Sequence, residues 1–470
     1  MASSGNSAAT AAVGSNGRPA ELSGMDPHSH EAAQLHREKF LPVTRHALLD
    51  RLTDPALWSA DDSRWARRFM RYLDYWRRHS YAMELLELEQ NYEPFNPDSD
   101  LLHTRQFTAE ERAGMQRRLV EQMAALVEHG NFTKVDPANV HFILTKDSAY
   151  GLDLQVDLGA FEEVAIYYRG ATTLIEKRRD IKKGYIGWKE VKRPVFQRLF
   201  LLFKLKPFEA RVEELMAERK IERKEAEKIV RQQRGMLPGA VRSDYVYLKL
   251  FKNLPRSDVE MIFPNTKIRF RLFDKIKFGV TAGGGVGVGA VGTVTKIAVA
   301  SNPYTLIAAL AGLGGIALRQ ASNFINQRNR YMVVLAQNLY FHAMADNRGV
   351  MTLLADRAAE EDSKEERLLY CLLAKERVNV ADLGQADEAI EHYLKRTFGI
   401  DVDFDVEDAL GRLKAEGIVT ELSDGTLQTL PPREAAMHVD KLWDASLDNL
   451  PDVHDPGHEV NRPANSQPVA

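Results

Sequence analysis

The side chains best equipped for chemistry in this chain are one cysteine, thirteen histidines and a scatter of arginines and acids. Their spacing decides what they can do. Cys371 sits among Leu368, Leu369, Tyr370, Leu372 and Leu373, the setting of a buried structural thiol and not of a nucleophile. A single cysteine also excludes an internal disulfide framework and suits a reducing compartment. The histidines form no HExxH pair and no close Cys/His group, so no metal site is expected. His28, His30 and His36 stand in or beside a polar tail and read as solvated. No G-x-S-x-G occurs. The run GGGVGVGAVG lacks the Gly-Lys-Ser/Thr that closes a phosphate loop, and no acid follows at dinucleotide-fold spacing. Arg169 closes a candidate strand and could contact an anion, although an arginine there usually serves a surface or salt-bridge role. Asp258, behind Pro255 and Ser257, reads as a helix start. No catalytic residue and no cofactor is expected, and the balance is against an enzyme.

The elements that would carry these residues change texture along the chain. The first 34 residues are Ala/Ser/Gly-rich, without the apolar core of a secretory signal or the arginines of a presequence, and read as a disordered tail. Helical spacing follows over 35–135: Ala47, Leu48, Leu49 and Leu52; then Trp65, Phe69, Met70, Leu73 and Trp76; then Met83, Leu85, Leu86 and Leu88; then Leu119, Met123, Leu126 and Val127. A mixed α/β domain is expected over 136–265, with strands at 141–144, 152–158, 163–169 and 244–251. Residues 207–234 read as one long exposed charged helix, with Glu and Lys/Arg recurring at three- and four-residue spacing.

Charge is unevenly shared. Residues 169–234 hold 20 Lys/Arg against 10 Asp/Glu, whereas 345–470 hold 13 against 27. Between them, 278–318 carries one charge, Lys296, and no acid. The first 23 residues of that stretch would make about 34 Å of helix, enough for a bilayer core of about 30 Å. Ser301-Asn302-Pro303-Tyr304 is a turn signal, and basic residues flank both ends. The expectation is a two-pass membrane hairpin within 266–330, contacting membrane lipids. Gly283, Gly285, Gly287 and Gly289 have the small-xxx-small spacing for helix packing, and so for oligomers.

A connecting helix over 331–363 leads to a C-terminal module over 364–430: helices at 365–377, 387–397 and 406–416, then a hairpin about Ser423-Asp424-Gly425. That order is winged-helix-like. Asp401, Asp403, Asp405, Glu407 and Asp408 crowd the start of the third helix, where a phosphate backbone would be repelled. Nucleic acid is therefore not the expected partner; other proteins are. Residues 431–470 read as an acidic disordered tail.

Three motifs carry a family likeness: Ile166-Tyr167-Tyr168-Arg169-Gly170; Tyr247 through Asn253-Leu254-Pro255-Arg256 to Met261; and Tyr340-Phe341 with Asp346-Asn347-Arg348-Gly349-Val350. Together they resemble the transmembrane protein 143 family, a domain-of-unknown-function group with bacterial and organellar members. The likeness spans roughly 41–430. It implies a two-pass membrane protein and no activity. The glycine-heavy first span and the missing presequence favour a bacterial inner membrane, with a mitochondrial membrane as the eukaryotic counterpart.

The expected fold class is thus mixed α+β: a helical N-terminal domain, a small α/β domain with a long charged helix, a membrane hairpin and a winged-helix-like module. The expected function is a membrane-anchored scaffold or adaptor. A lipid- or small-molecule-handling protein is the alternative, and a DNA-binding regulator a third.

Overall fold

The apolar runs of the N-terminal third become three helices, α1 (Arg45–Leu52), α2 (Ala60–Tyr92) and α3 (Ala109–His129). They belong to a computed structural model that describes residues 37–100, 106–135, 152–180, 187–235, 237, 239–256, 259, 262–264, 267–270 and 340–447. The runs about Trp65 and Met83 form one helix of 33 residues, because neither Gly nor Pro interrupts it. Its start is fixed by Ser59, whose hydroxyl accepts from the Asp62 N–H at 3.1 Å, with Asp61 and Asp62 in the first turn. A capping box does the same for α3: Glu111 N–H donates to Thr108 Oγ1 and Thr108 N–H to Glu111 Oε2.

The middle of the chain builds a five-stranded antiparallel sheet. Its strands are β1 (Thr133–Lys134), β3 (Phe161–Asp180), β4 (Gly187–Leu205), β5 (Val246–Pro255) and β7 (Ala343–Asp346), in the order β1-β3-β4-β5-β7. A separate antiparallel pair joins β2 (Leu152–Gln155) to β6 (Lys267–Phe270). The run Leu199–Phe203 is apolar without alternation because both faces of β4 are covered. Phe200 and Leu202 face one core with Tyr167, Leu248 and the helices, while Leu199, Leu201 and Phe203 face another with Ile166, Tyr247 and Phe263. The candidate strand at 141–144 lies outside the described residues.

Between β4 and β5, the expected single charged helix over 207–234 is instead a pair, α4 (Phe208–Arg219) and α5 (Arg223–Arg234). Lys220 caps α4 in the left-handed conformation, φ 53°. The chain turns back there because Val212 and Leu215 find their apolar partners in Ala226 and Val230, contacts that a straight helix would leave in water. Glycine takes that conformation without strain, so Lys220→Gly is expected to raise stability slightly, by about 0.5–1 kcal/mol. A thermal melt that moves down by more than a degree would contradict the strained-cap reading.

A 27-residue helix, α6 (Asn347–Leu373), runs across the expected boundary between connecting helix and C-terminal module. After it come β8 (Val378–Asn379), α7 (Leu383–Phe398), α8 (Val406–Ala415), β9 (Val419–Glu421), β10 (Thr426–Thr429) and α9 (Pro432–Asp444). The last three strands form a sheet ordered β8-β10-β9. Residues 432–444, expected within a disordered tail, are helical because Ala435, Ala436 and Val439 bury one stripe against α2. All these elements belong to one compact unit that begins at Glu38.

The two-pass membrane hairpin and the membrane placement drawn from it require correction. Among the described residues no helix is long and apolar enough to cross a membrane. The longest, α2, has the length but carries acids and arginines on nearly every turn, which hydrocarbon would not tolerate. The stretch 278–318, with Gly283, Gly285, Gly287 and Gly289, lies outside the described residues. The supported fold class is mixed α+β with antiparallel sheets.

Candidate functional site

Helix α6 begins in one apolar core and ends in another. Val350, Met351, Leu354, Ala355, Ala358 and Ala359 pack with α3 and the sheet. Leu368, Leu369, Tyr370 and Leu373 pack with α1, α2 and the C-terminal module. Between these stretches lie Glu361, Asp362, Ser363, Lys364, Glu365, Glu366 and Arg367, each at most 3% exposed. Seven consecutive residues make nearly two helical turns, so at this joint the helix is enclosed on every side. Six of the seven side chains are ionisable, and burial of that kind requires partners.

Arg412, on α8, is the main one. Its Nε lies 2.8 Å from Glu366 Oε1, its Nη2 2.7 Å from Glu365 Oε2 and its Nη1 3.3 Å from Asp362 Oδ1, with Asp408 also paired to Nη1. Arg77, on α2, donates from Nε to Glu366 and lies 2.7 Å from Glu416 through Nη2. Tyr81 Oη donates to Asp362 Oδ2 at 2.7 Å, and Asn131 Nδ2 to Glu365 Oε1 at 2.7 Å. On the other sides, Lys364 Nζ meets Glu361 and Glu360 at 3.0 and 3.1 Å, and Arg367 Nη2 meets Asp74 at 3.0 Å and donates to the Met70 carbonyl.

The electrostatics follow from burial against partnership. Burial opposes the Arg412 charge, but Asp362, Glu366, Glu365 and Asp408 outweigh it and raise its pKa. Burial pushes Glu365 up to about 8 and Glu366 up to about 7, although Arg412 pulls both down. His129 is raised because Asp362 holds its charged form. Burial thus works against the charge of both glutamates, while Arg412 and Arg77 work for it.

Among the described residues, metal binding has one geometric opening, since ligand atoms of His129, Asp362 and Asp408 lie within 4.8 Å of one another. The Arg412 guanidinium already contacts both aspartates, so the cation of this cluster is an arginine. Cys371 is half-buried and lines a cavity of about 190 Å³ with Leu52, Trp58, Leu368, Ile390 and Tyr393. Burial pushes its thiol up to about 12, which disfavours the thiolate. The cavity is smaller than the roughly 300–1,000 Å³ of ordinary ligand pockets.

Arg169, read from sequence as a possible anion contact, is buried. Its Nη1 donates to the Gly130 carbonyl at 3.0 Å and lies 3.9 Å from Glu361 Oε1, and its guanidinium stacks on Phe40 and Phe132. Burial lowers its pKa, and neighbouring Arg198 and Arg357 add to that. Asn347, from the third sequence motif, adopts φ 47° and accepts the Leu248 N–H of β5 through Oδ1 at 3.1 Å. Sequence reasoning missed the joint itself, because Glu-Glu-Asp-Ser-Lys-Glu-Glu-Arg has the composition of a solvated helix face. The available signal was Arg77 amid an apolar stripe and Arg412 on the face of α8 next to Ala409 and Leu413.

No solved structure matches the chain. Residues 161–349, from the first residue of β3 to the first turn of α6, are similar to the model of the family described as Protein of unknown function (DUF3754).

Proposed function

We propose that the chain acts as an interaction scaffold without an enzymatic reaction of its own. The observation that supports this most is the joint on α6. Its charged groups are enclosed and committed to one another, so they hold two cores in one orientation and are not offered to a substrate. Buried ion pairs add little net stability over apolar packing but can specify a unique arrangement, which is what a platform for partners needs. The three sequence motifs support the narrower assignment to the transmembrane protein 143 family, and no activity comes with it.

DNA binding through the C-terminal module is the less favoured reading. On α8, Arg412 is consumed by the joint and Lys414 pairs with Glu421 at 2.5 Å, while Asp405, Glu407 and Asp408 crowd the start of the helix. Among the described residues, small-molecule handling has the 190 Å³ cavity beside Cys371 in its favour.

The test is affinity capture from native lysate with the wild-type chain and Arg412→Ala side by side, scored by partner identity. Loss of a reproducible partner set from the variant, with Lys414→Ala retaining it, is the expected result. An unchanged set, or none from wild type, would remove the support for a joint-dependent scaffold.

A further inference from the structure

The edge of β3 carries a second polar feature, separate from the joint. The ladder between β3 and β4 pairs Arg169 with Arg198 and Ala171 with Phe196, and skips Gly170. Gly170 has φ 72°, and a Cβ there would lie 2.6 Å from the Gln197 side chain. Glycine takes this conformation without strain, and its left-handed turn aims two successive N–H groups the same way, as in an anion nest. Both donate to one carboxylate: Gly170 N–H to Glu38 Oε2 at 3.0 Å and Ala171 N–H to Glu38 Oε1 at 2.6 Å.

Glu38 belongs to a short extended strap that touches three parts of the fold. Its carbonyl accepts the Asp403 N–H at 3.0 Å, and Lys39 Nζ pairs with Asp405 at 2.9 Å. Phe40 lies under the Arg169 guanidinium, 4.4 Å from its ring centre. Leu41 N–H donates to Glu361 Oε2 at 2.9 Å and its carbonyl accepts from Lys364 Nζ. Glu38 and Phe40 are half-buried and Lys39 is exposed, so a competitor reaches the amides by peeling three residues, and it completes the exchange by drawing Leu41, 1% exposed, from its core.

We propose that the Gly170–Ala171 amide pair, with Arg169 and Phe132 beside it, is a recognition site for an extended acid-x-aromatic-aliphatic segment. Glu38-Lys39-Phe40-Leu41 fills it in cis, and a partner segment of the same pattern can displace that strap. The bidentate amides select a carboxylate, the arginine face selects an aromatic ring two residues on, and the alternation of an extended chain supplies that spacing. The site names the kind of partner that the scaffold reading needs, and it rests on that reading only for the partner's existence.

Hydrogen exchange at the Gly170 and Ala171 amides of the full chain tests the nest. Glu38→Ala is expected to speed exchange at both by at least tenfold. Sodium acetate at 50 mM should restore most of the protection, and sodium chloride at equal ionic strength should not. Unchanged rates in the variant, or no rescue by acetate, would overturn the carboxylate site. Should Glu38→Ala fail to fold, Glu38→Gln serves in its place, with an intermediate loss expected, since its amide oxygen accepts one bond. Displacement is tested with a fluorescein-labelled peptide of residues 38–44, EKFLPVT. It should bind Glu38→Ala (or Glu38→Gln) at least fivefold more tightly than wild type, and AKFLPVT should bind neither. Equal affinity for the two chains, or for the two peptides, would sink the exchange. None of these readouts requires a cellular partner, so a failed capture experiment and a failed nest are distinguishable.

Discussion

Alanine in place of Arg412 is expected to lower the unfolding free energy by about 3–5 kcal/mol. Four carboxylates surround this guanidinium, and three of them, on Asp362, Glu365 and Glu366, are almost wholly buried. Removing the cation strands them in a medium that solvates charge poorly. Truncation of the stem also leaves a void between α8 and α6. Arg412→Met separates the two effects: it fills much of the space but not the charge, and should recover only the smaller packing share. Neutralising the glutamates together with the arginine, as Arg412→Met with Glu365→Gln and Glu366→Gln, should recover stability further, because no uncompensated charge then remains there beyond Asp362. Lys414→Ala is the control on the same helix. Its pair with Glu421 is well exposed, so a change within about 0.5 kcal/mol is expected. Denaturant unfolding of the full-length variants reads all of these. An Arg412→Ala loss no larger than that of Lys414→Ala would mean that the joint does not hold the two cores together.

What could be read from the chain and what could not divides along sequence distance. The spacing of Leu119, Met123, Leu126 and Val127 coincides with the buried face of α3, since one face and one period suffice to find it. The alternation within 163–169 falls inside the much longer β3, whose full length depends on β4 alongside it. The joint was not legible. Glu366 gains Arg77 from 289 residues away, and nothing local distinguishes its charged run from a solvated face. The turn at Lys220 was hidden for a related reason: the charge pattern is the same on both sides of it, and only the pairing of Val212 and Leu215 with Ala226 and Val230 selects a hairpin. Arg169 was noticed as an anion contact, but the amides that take the carboxylate belong to the next two residues. Backbone donors leave no mark in a sequence beyond the glycine that permits their geometry.

The stability of the protein is expected to fall as pH rises from 6 to 9, by on the order of 3–4 kcal/mol, or roughly 3–6 °C in melting temperature. In an unfolded chain a glutamate titrates near 4.3, whereas burial holds Glu365 up to about 8 and Glu366 up to about 7 in the fold. The folded state therefore binds these protons more tightly. The stabilisation this brings is complete below the unfolded pKa and disappears as pH climbs through 7 and 8. His129, raised by Asp362, acts in the same direction, because its charged form is also favoured by folding. The groups with lowered pKa values, among them Asp405, Asp424, Glu214 and Glu360, act oppositely, but only in the acid range where carboxylates protonate. The raised pKa of Lys39 lies above 10.5 and is also outside the window. Glu365 faces Arg412 and Asn131, and Glu366 faces Arg77 and Arg412, so ionisation places two anions in an almost wholly buried cage. The measurement is a series of thermal melts at constant ionic strength in pH steps from 6 to 9, on wild type and on Glu365→Gln with Glu366→Gln. The double variant cannot ionise at positions 365 and 366 and should lose most of the slope, keeping the part that belongs to His129. A wild-type melting temperature that stays level or climbs across this range would show that both glutamates are already ionised at pH 6. Arg412 would then be neutralising them in full, and its removal should prove equally damaging at pH 6 and pH 9. If the glutamates hold their protons, Arg412→Ala should instead be milder at pH 6, where fewer charges are left stranded.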